Sequence, residues 1–351
     1  MNYKKVLFIG LGGAGQRHLR ILHDLLPATS KFYAFRSKQT TPLLNSDFSV
    51  NINTSITEKY NLIIFDSIDE AFSISPDLTV ISTPTSLHLD PMFYALKRGS
   101  AIFVEKPWSN DLTDFKKFSD SVLLNKTPFH ISFQKRFNSK FQETFSLINN
   151  GKIGKILTAS FNVFSNVRVW HPYEKWKDLY AVNSSLGGGV LLTEIHEIDL
   201  AYWFFGLPKE VFCVGSNRSQ DQIDVEDTVN IVLIYNEFSI QINLCFMHKK
   251  QSRSFHVAGS EGDISWSDSK DELNIKFFNE KEEIKKDNQI VPNDEMFYDQ
   301  AKKFLDDWDK FDTIKSLNSA SSSLAIVEAA KKSIKSGKKE KVYSELIINE
   351  K

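Results

Sequence analysis

The segment Val6-Leu7-Phe8-Ile9-Gly10-Leu11-Gly12-Gly13-Ala14-Gly15-Gln16-Arg17-His18 decides how the rest of the chain is read. Residues 6–9 form a short apolar run that predicts a buried strand. The glycines that follow fit G-x-G-x-x-G, directly after that strand and directly before a helical stretch over 14–26 that Pro27 stops. Gly10 permits the tight turn, and Gly12 lets backbone approach a pyrophosphate. Gly15 lets helix and strand pack closely, with Gly13 and Ala14 between them. The helix N-terminus supplies N–H donors to phosphate. Lys4-Lys5 before an apolar run imitates a secretory signal, but the run ends at Gly10 and charged residues follow.

Outward from this turn, residues 31–36, 62–65, 78–82, 101–104 and 129–132 read as strands. Helical stretches at 68–72, 87–97 and 112–124 lie between them. Such alternation predicts βαβ units, hence an α/β Rossmann domain with a doubly wound parallel sheet over residues 1–132. Beyond residue 150 the runs 211–215, 229–235, 239–246, 254–259 and 274–278 are strand-like, and Asn236-Glu237 reads as a hairpin turn. They predict a large, mostly antiparallel sheet in an α+β domain over 133–351. Helices at 294–311 and 319–335, with Gly337 at the stop position, close that domain and are free to pack back on the first.

Composition bounds the function. The 351 residues suit one large domain or two ordinary ones, and 41% hydrophobic against 25% charged residues is enough for a core. Lys+Arg 43 against Asp+Glu 44 gives no reason to expect nucleic acid or an anionic membrane as partner. Cys213 and Cys245 are the only cysteines, too few for a disulfide scaffold or a cysteine zinc cluster. No run reaches the ~18 apolar residues of a membrane helix. The expectation is a cytoplasmic protein.

The second predicted strand bears on the choice of dinucleotide. Folds that take NAD place an acid about 20 residues after the glycine loop, where it accepts from the ribose 2′-OH. Here the neighbourhood reads Phe35-Arg36-Ser37-Lys38. Arg36, with Ser37, suits a 2′-phosphate, so NADP is expected over NAD.

Three further motifs follow in order: Ser82-Thr83-Pro84-Thr85-Ser86-Leu87-His88, then Glu105-Lys106-Pro107, then Gly187-Gly188-Gly189-Val190-Leu191-Leu192-Thr193-Glu194-Ile195-His196-Glu197-Ile198-Asp199. With the glycine loop they make the chain resemble the glucose–fructose oxidoreductase / inositol dehydrogenase (Gfo/Idh/MocA) family over nearly its whole length. Residues 257–264, Val-Ala-Gly-Ser-Glu-Gly-Asp-Ile, are similar to a G-x-x-G turn of that family's C-terminal sheet, and 325–338 to its closing helix. The resemblance implies an NAD(P)-dependent oxidoreductase acting on CH–OH groups, with no metal required. It implies that Lys106 is catalytic or positions substrate, and that His196 shares proton transfer or orients the hydroxyl. Thr83, Pro84, His88, Glu105 and Lys106 would lie near the nicotinamide. Family members form dimers or tetramers through the outer face of the C-terminal sheet, and the apolar alternation of 229–246 suits that role.

The residues themselves agree in kind. Loops after the fourth and fifth strands line the crevice at the switch point of such a sheet. Moving a hydride to or from a carbinol needs a group that takes or gives the hydroxyl proton, and a buried lysine or a histidine can do so. One departure stands out. The family commonly has Asp three or four positions before the histidine, where this chain has Leu192 and Thr193. On an ideal helix Thr193 shares a face with His196, whereas Glu194 projects elsewhere.

Arg136, Arg168, Trp170 and His171, with Gln134, Asn138 and Tyr173, are candidates to face substrate beside Thr193, Glu194 and His196. Aromatic faces suit a sugar ring, and arginines suit a carboxylate or phosphate on it. The stretch around Trp170 and the glycine triplet resembles a branch linked to surface-polysaccharide sugars, including nucleotide-activated ones. Two alternatives stay open: a cofactor-retaining glycosidase or eliminase with no net redox change, and a non-catalytic NADP-binding regulator.

Overall fold

The computed structural model describes residues 4–36, 41–219, 221–279, 283–286, 293–343 and 348. The N-terminal apolar runs become six parallel strands, β1 (Lys5–Ile9), β2 (Lys31–Phe35), β3 (Ile63–Phe65), β4 (Leu78–Ile81), β5 (Ala101–Glu105) and β6 (Phe129–Ser132). They carry apolar residues on both faces, as a sheet covered on both sides requires. Helices α1 (Gly13–Leu25), α2 (Ile56–Tyr60), α3 (Ile68–Ser73), α4 (Leu89–Lys97) and α5 (Phe115–Leu124) join them. The strand order is β3-β2-β1-β4-β5-β6. The chain leaves β1 in one direction and returns to its other side at β4, which opens a crevice at the carboxyl ends of those two strands.

The second sheet contains a strand not anticipated from sequence, β7 (Ile156–Asn166), which follows helix α6 (Ser139–Asn149). Its inward row is Ala159, Phe161, Val163 and Ser165, whose small and polar members blur the alternation. After the short helices α7 (Val190–Thr193) and α8 (His196–Phe205) come β8 (Glu210–Ser216), β9 (Thr228–Ile234), β10 (Ser239–Cys245), β11 (Met247–Gly259), β12 (Gly262–Ser267), β13 (Glu272–Phe277) and β14 (Glu283–Lys286). A two-residue β15 (Glu340–Lys341) completes the order β14-β13-β12-β11-β7-β10-β9-β8-β15. Every pairing is antiparallel except β7 with β10. The apolar half of 229–246 (Val229, Ile231, Leu233, Ile240, Ile242, Leu244) faces the core. The outward row carries an amide ladder, Asn230 to Asn243 (2.7 Å) and Asn243 to Asn162 (2.8 Å), beside Val232 and Ile234.

Two C-terminal helices bind the sheets together. Phe297 and Phe304 of α9 (Asn293–Asp306) join Val6, Phe8 and Leu22 in one apolar cluster. Helix α10 (Thr313–Ser336) lies between β6 and β8, buried almost all round. Its Ser319–Ser323 run reads as a poor helix former. Those small side chains let neighbouring elements come close, and Asp312 caps the helix by accepting from the Lys315 N–H (2.9 Å). Among the described residues no helix is long and apolar enough to cross a membrane.

His130 on β6 sits among the rings of Phe103, Phe304 and Phe311, with Nε2 3.3 Å from Gln300 Oε1 of α9. Burial pushes its pKa down from 6.5 to about 4. The unfolded chain therefore takes up this proton first as pH falls. The native state loses stability between pH 6.5 and 4, by up to about 3 kcal/mol from this group. Urea unfolding across that range should show a shallower loss in His130→Phe than in the wild type. Equal slopes would mean that His130 does not drive the acid sensitivity.

Candidate active site

The crevice is built at the glycine loop. Gly10 (φ 90°) turns the chain, and a Cβ there would lie 2.9 Å from the Ser82 carbonyl oxygen at the end of β4. A Cβ on Gly15 would fall 2.5 Å from both Gly10 O and Ser82 Oγ, so only glycine lets α1 approach β4 this closely. A Cβ on Gly12 would meet nothing within 4 Å. Its backbone faces open space at the start of α1, as an approaching pyrophosphate needs. Gly12 is the helix cap and has no side chain to satisfy the first-turn donors. The Gly13 N–H donates to the hydroxyl of Tyr173 (3.2 Å), which arrives from the second domain. This loop therefore fits a dinucleotide pyrophosphate.

Beside it, Pro84 opens a short 3₁₀ turn, and the Thr83 hydroxyl donates to Leu87 O (3.2 Å). His88 is buried, with Nε2 2.8 Å from Thr83 O and Nδ1 2.9 Å from Pro107 O, so it ties the loop after β4 to the Glu105-Lys106-Pro107 loop. Glu105 pairs with His18 of α1 (2.6 Å). Burial alone would raise its pKa, but His18, Lys106 and Arg17 together hold it below the ordinary value.

The glycine-triplet segment departs from an ideal helix. The α7 turn ends at Thr193, Glu194 breaks the helix (φ −103°, ψ 32°), and α8 starts at His196. The Thr193 hydroxyl is spent on Gly189 O (2.9 Å), and its carbonyl accepts from Lys106 Nζ (2.5 Å). The placement of Glu194 therefore corrects the ideal-helix expectation. The break turns its carboxylate into the site, where it accepts from Ser165 Oγ (2.8 Å) and pairs with Arg253 of β11 (2.8 Å). Arg253 also reaches buried Glu197 (3.2 Å).

All of this opens on one cavity of about 690 Å³. Ala14, Thr83, His88, Glu105 and Lys106 line it from the first domain; Gln134, Lys135 and Asn138 from the turn after β6; Trp170, His171, Thr193, Glu194, His196 and Arg253 from the second domain. Two expected substrate contacts are not brought there. Arg136 holds Asp199 through two bonds (2.9 and 2.7 Å), and Arg168 is taken up by Asp221. Each guanidinium is drawn off by an acid distant in sequence, which local reading does not reveal. Arg17, Lys135 and Arg253 are cavity-lining cations that sequence reasoning passed over. Lys135 adjoins Arg136, and nothing in the β11 sequence singles Arg253 out. Arg36 donates to Thr41 O (2.9 Å), and Ser37 lies outside the described residues.

The electrostatics suit proton handling. Burial lowers the Lys106 pKa, against the pull of Glu194 and Glu105. Burial first, then Lys106, Arg253 and Lys135, push His196 well below the ordinary histidine value, so its ring is uncharged at neutral pH. His196 Nε2 lies 3.4 Å from the Gln134 amide nitrogen.

Residues 4–129 match the family model described as the oxidoreductase family's NAD-binding Rossmann fold (GFO_IDH_MocA), and residues 146–342 match that family's C-terminal alpha/beta domain. The chain belongs to the Gfo/Idh/MocA oxidoreductase family. It is 26% identical over 187 residues to an uncharacterized oxidoreductase of Streptococcus pneumoniae, covering 53% of this chain and 50% of that one. It is 24% identical over 187 residues to the 2,7-anhydro-N-acetylneuraminate hydratase of Mediterraneibacter gnavus, covering 53% and 49%. The chain spans about half the length of the curated relatives it matches. The fold is shared with scyllo-inositol dehydrogenase from Lactobacillus casei, solved with NAD(H) and scyllo-inositol, at TM-score 0.76 and 18% identity over 97% of this chain and 100% of that one.

Proposed function

We propose that this Gfo/Idh/MocA protein moves a hydride between a nicotinamide dinucleotide and a CH–OH carbon, or the matching ketone, of a sugar derivative. One observation carries the reading. Lys106 from the loop after β5 and His196 from α8 open into a single cavity whose other wall, Ala14 and Thr83, adjoins the glycine loop. The sugar class is supported by the relatives, whose names include a cyclic polyol and an anhydro sugar acid.

A bound nicotinamide supplies the hydride acceptor or donor. The hydroxyl proton is what this chain handles. In the oxidising direction, a deprotonated Lys106 takes it at Nζ, held in place by the Thr193 carbonyl; in the reducing direction the ammonium returns it. Uncharged His196 orients the same hydroxyl. The glycine loop and the first turn of α1 would hold the pyrophosphate, with the Gly13 N–H among the available donors.

NADP is the dinucleotide we favour, because Arg36 stands where an acid would accept from the ribose. Calorimetric titration with NADPH and NADH separately tests the cofactor reading. NADPH should bind at least ~10-fold tighter, and Arg36→Ala should erase that difference, since a charge-assisted pair supplies about this much. Equal affinities in the wild type would remove Arg36 from the assignment.

A second reading has specific support. A relative is named a hydratase, and Thr193 brings no acid to its position. In that version the cofactor is retained and transient oxidation serves elimination. A steady change in nicotinamide absorbance during turnover would exclude it.

A further inference from the structure

We propose that the substrate of this cavity carries an anionic group, a carboxylate or a phosphate, and that Lys135 receives it. The inference deepens the functional reading above and rests on it for the cavity being the substrate site. Arg17 is held by Asp294 (2.8 Å), Arg253 by Glu194 and Glu197, and Lys106 by the Thr193 carbonyl. Lys135 lines the same cavity, and its ammonium has no hydrogen-bond or ion-pair partner among the described residues.

The 3₁₀ turn Gln134–Phe137 explains how it comes to point there. Phe133, Arg136 and Phe137 face the other side of that turn, toward Trp203 and Phe311, while Gln134 and Lys135 face the cavity. The turn therefore offers its two basic residues to opposite sides, and Arg136 is spent on Asp199.

An ammonium drawn out of bulk water without a counter-charge is costly. Burial, with Arg253 adding to it, pulls the Lys135 pKa down to about 8, while Glu197, Glu194 and Asp268 oppose the shift. A purely structural role would have Lys135 only balance Glu194 and Glu197 alongside Arg253 and Lys106. No carboxylate oxygen of the described residues lies within ion-pair distance of its Nζ. A ligand anion reaching Nζ directly makes the bond that those carboxylates do not.

The test reads binding preference in the holoprotein. Tryptophan fluorescence, with Trp170 and Trp266 lining the cavity, follows titration with D-glucuronate, inorganic phosphate and D-glucose in the presence of the dinucleotide. The wild type should prefer one of the two anions over D-glucose by ~30-fold or more, the range of a charge-assisted hydrogen bond. Lys135→Met should cut that preference at least ~10-fold, and Lys135→Arg should keep most of it. Whether glucuronate or phosphate is preferred identifies the anion. No anion preference in the wild type, or the same preference in Lys135→Met, would overturn the proposal. So would a Lys135→Met variant altered only in stability. Nicotinamide absorbance on the same samples separates the two readings. Lys135-dependent anion binding with no absorbance change for any uronate or neutral sugar sinks hydride transfer alone. Turnover of neutral sugars without anion preference sinks the anion subsite alone.

Discussion

Lys106→Ala should lose ~10³-fold in turnover while its affinity for the dinucleotide changes by less than tenfold. A positioned acid–base group contributes ~10²–10⁴-fold, and Lys106 is the cation held against the Thr193 carbonyl at 2.5 Å, where substrate and nicotinamide would meet. Truncation removes the proton acceptor and leaves the glycine loop untouched. Lys106→Arg should not rescue turnover, because a guanidinium stays protonated and cannot take the proton. His196→Asn should cost less, ~10²-fold, since an amide still orients a hydroxyl. The pH dependence has a defined sign. Oxidation needs Lys106 deprotonated, so its rate should fall as pH drops through a pKa that burial has moved below the ordinary lysine value. Steady-state kinetics across pH, with calorimetry for the cofactor, would check both parts. Full turnover in Lys106→Ala would remove it from the mechanism without touching the fold.

The parts of this site legible in the sequence are those with short-range signatures. Gly10, Gly12 and Gly15 are recognisable because each answers a backbone demand within one βα turn. Lys106 and His196 stand inside motifs. The substrate side obeys longer-range rules. Arg136 and Arg168 look like anion ligands until Asp199, 63 residues away, and Asp221, 53 away, take them up. Glu194 looks misdirected on an ideal helix, because the break after Thr193 depends on tertiary contacts. Strand β7 escaped notice for a related reason. Its inward Ala159 is small and its inward Ser165 donates to Glu194, so neither announces a core. Fold class is carried by repeated local patterns and survives such exceptions, whereas a binding wall is set by single pairings between distant segments.

Arg253→Met should destabilise the protein by about 3–5 kcal/mol, the cost of removing one partner from a buried ionic group. Arg253 stands between Glu194 (2.8 Å) and Glu197 (3.2 Å), whose side chains are 8% and 2% exposed. Without the guanidinium the two carboxylates face each other in a low dielectric, and the cheapest relief is to bind protons. Glu197 is already disposed to do so, since burial raises its pKa to about 7 even with Arg253 opposing the shift. In the variant the native-state pKa of Glu197 rises further above its unfolded value. Stability is then retained where Glu197 is protonated and lost as pH rises through its folded pKa. The destabilisation should therefore be smaller at pH 6 than at pH 8.5. Urea midpoints of both proteins at the two pH values measure it, and adding Glu197→Gln to Arg253→Met should recover part of the loss at the higher pH. An equal loss at both pH values would assign the effect to packing of the arginine stem instead. The same variant bears on the cavity, because Arg253, Lys135 and Lys106 are the cations whose charge interacts with Glu194 and Glu197. With Arg253 gone, Lys135 and Lys106 are left to face them, and the anion preference assigned to Lys135 should weaken with rising pH as Glu197 ionises.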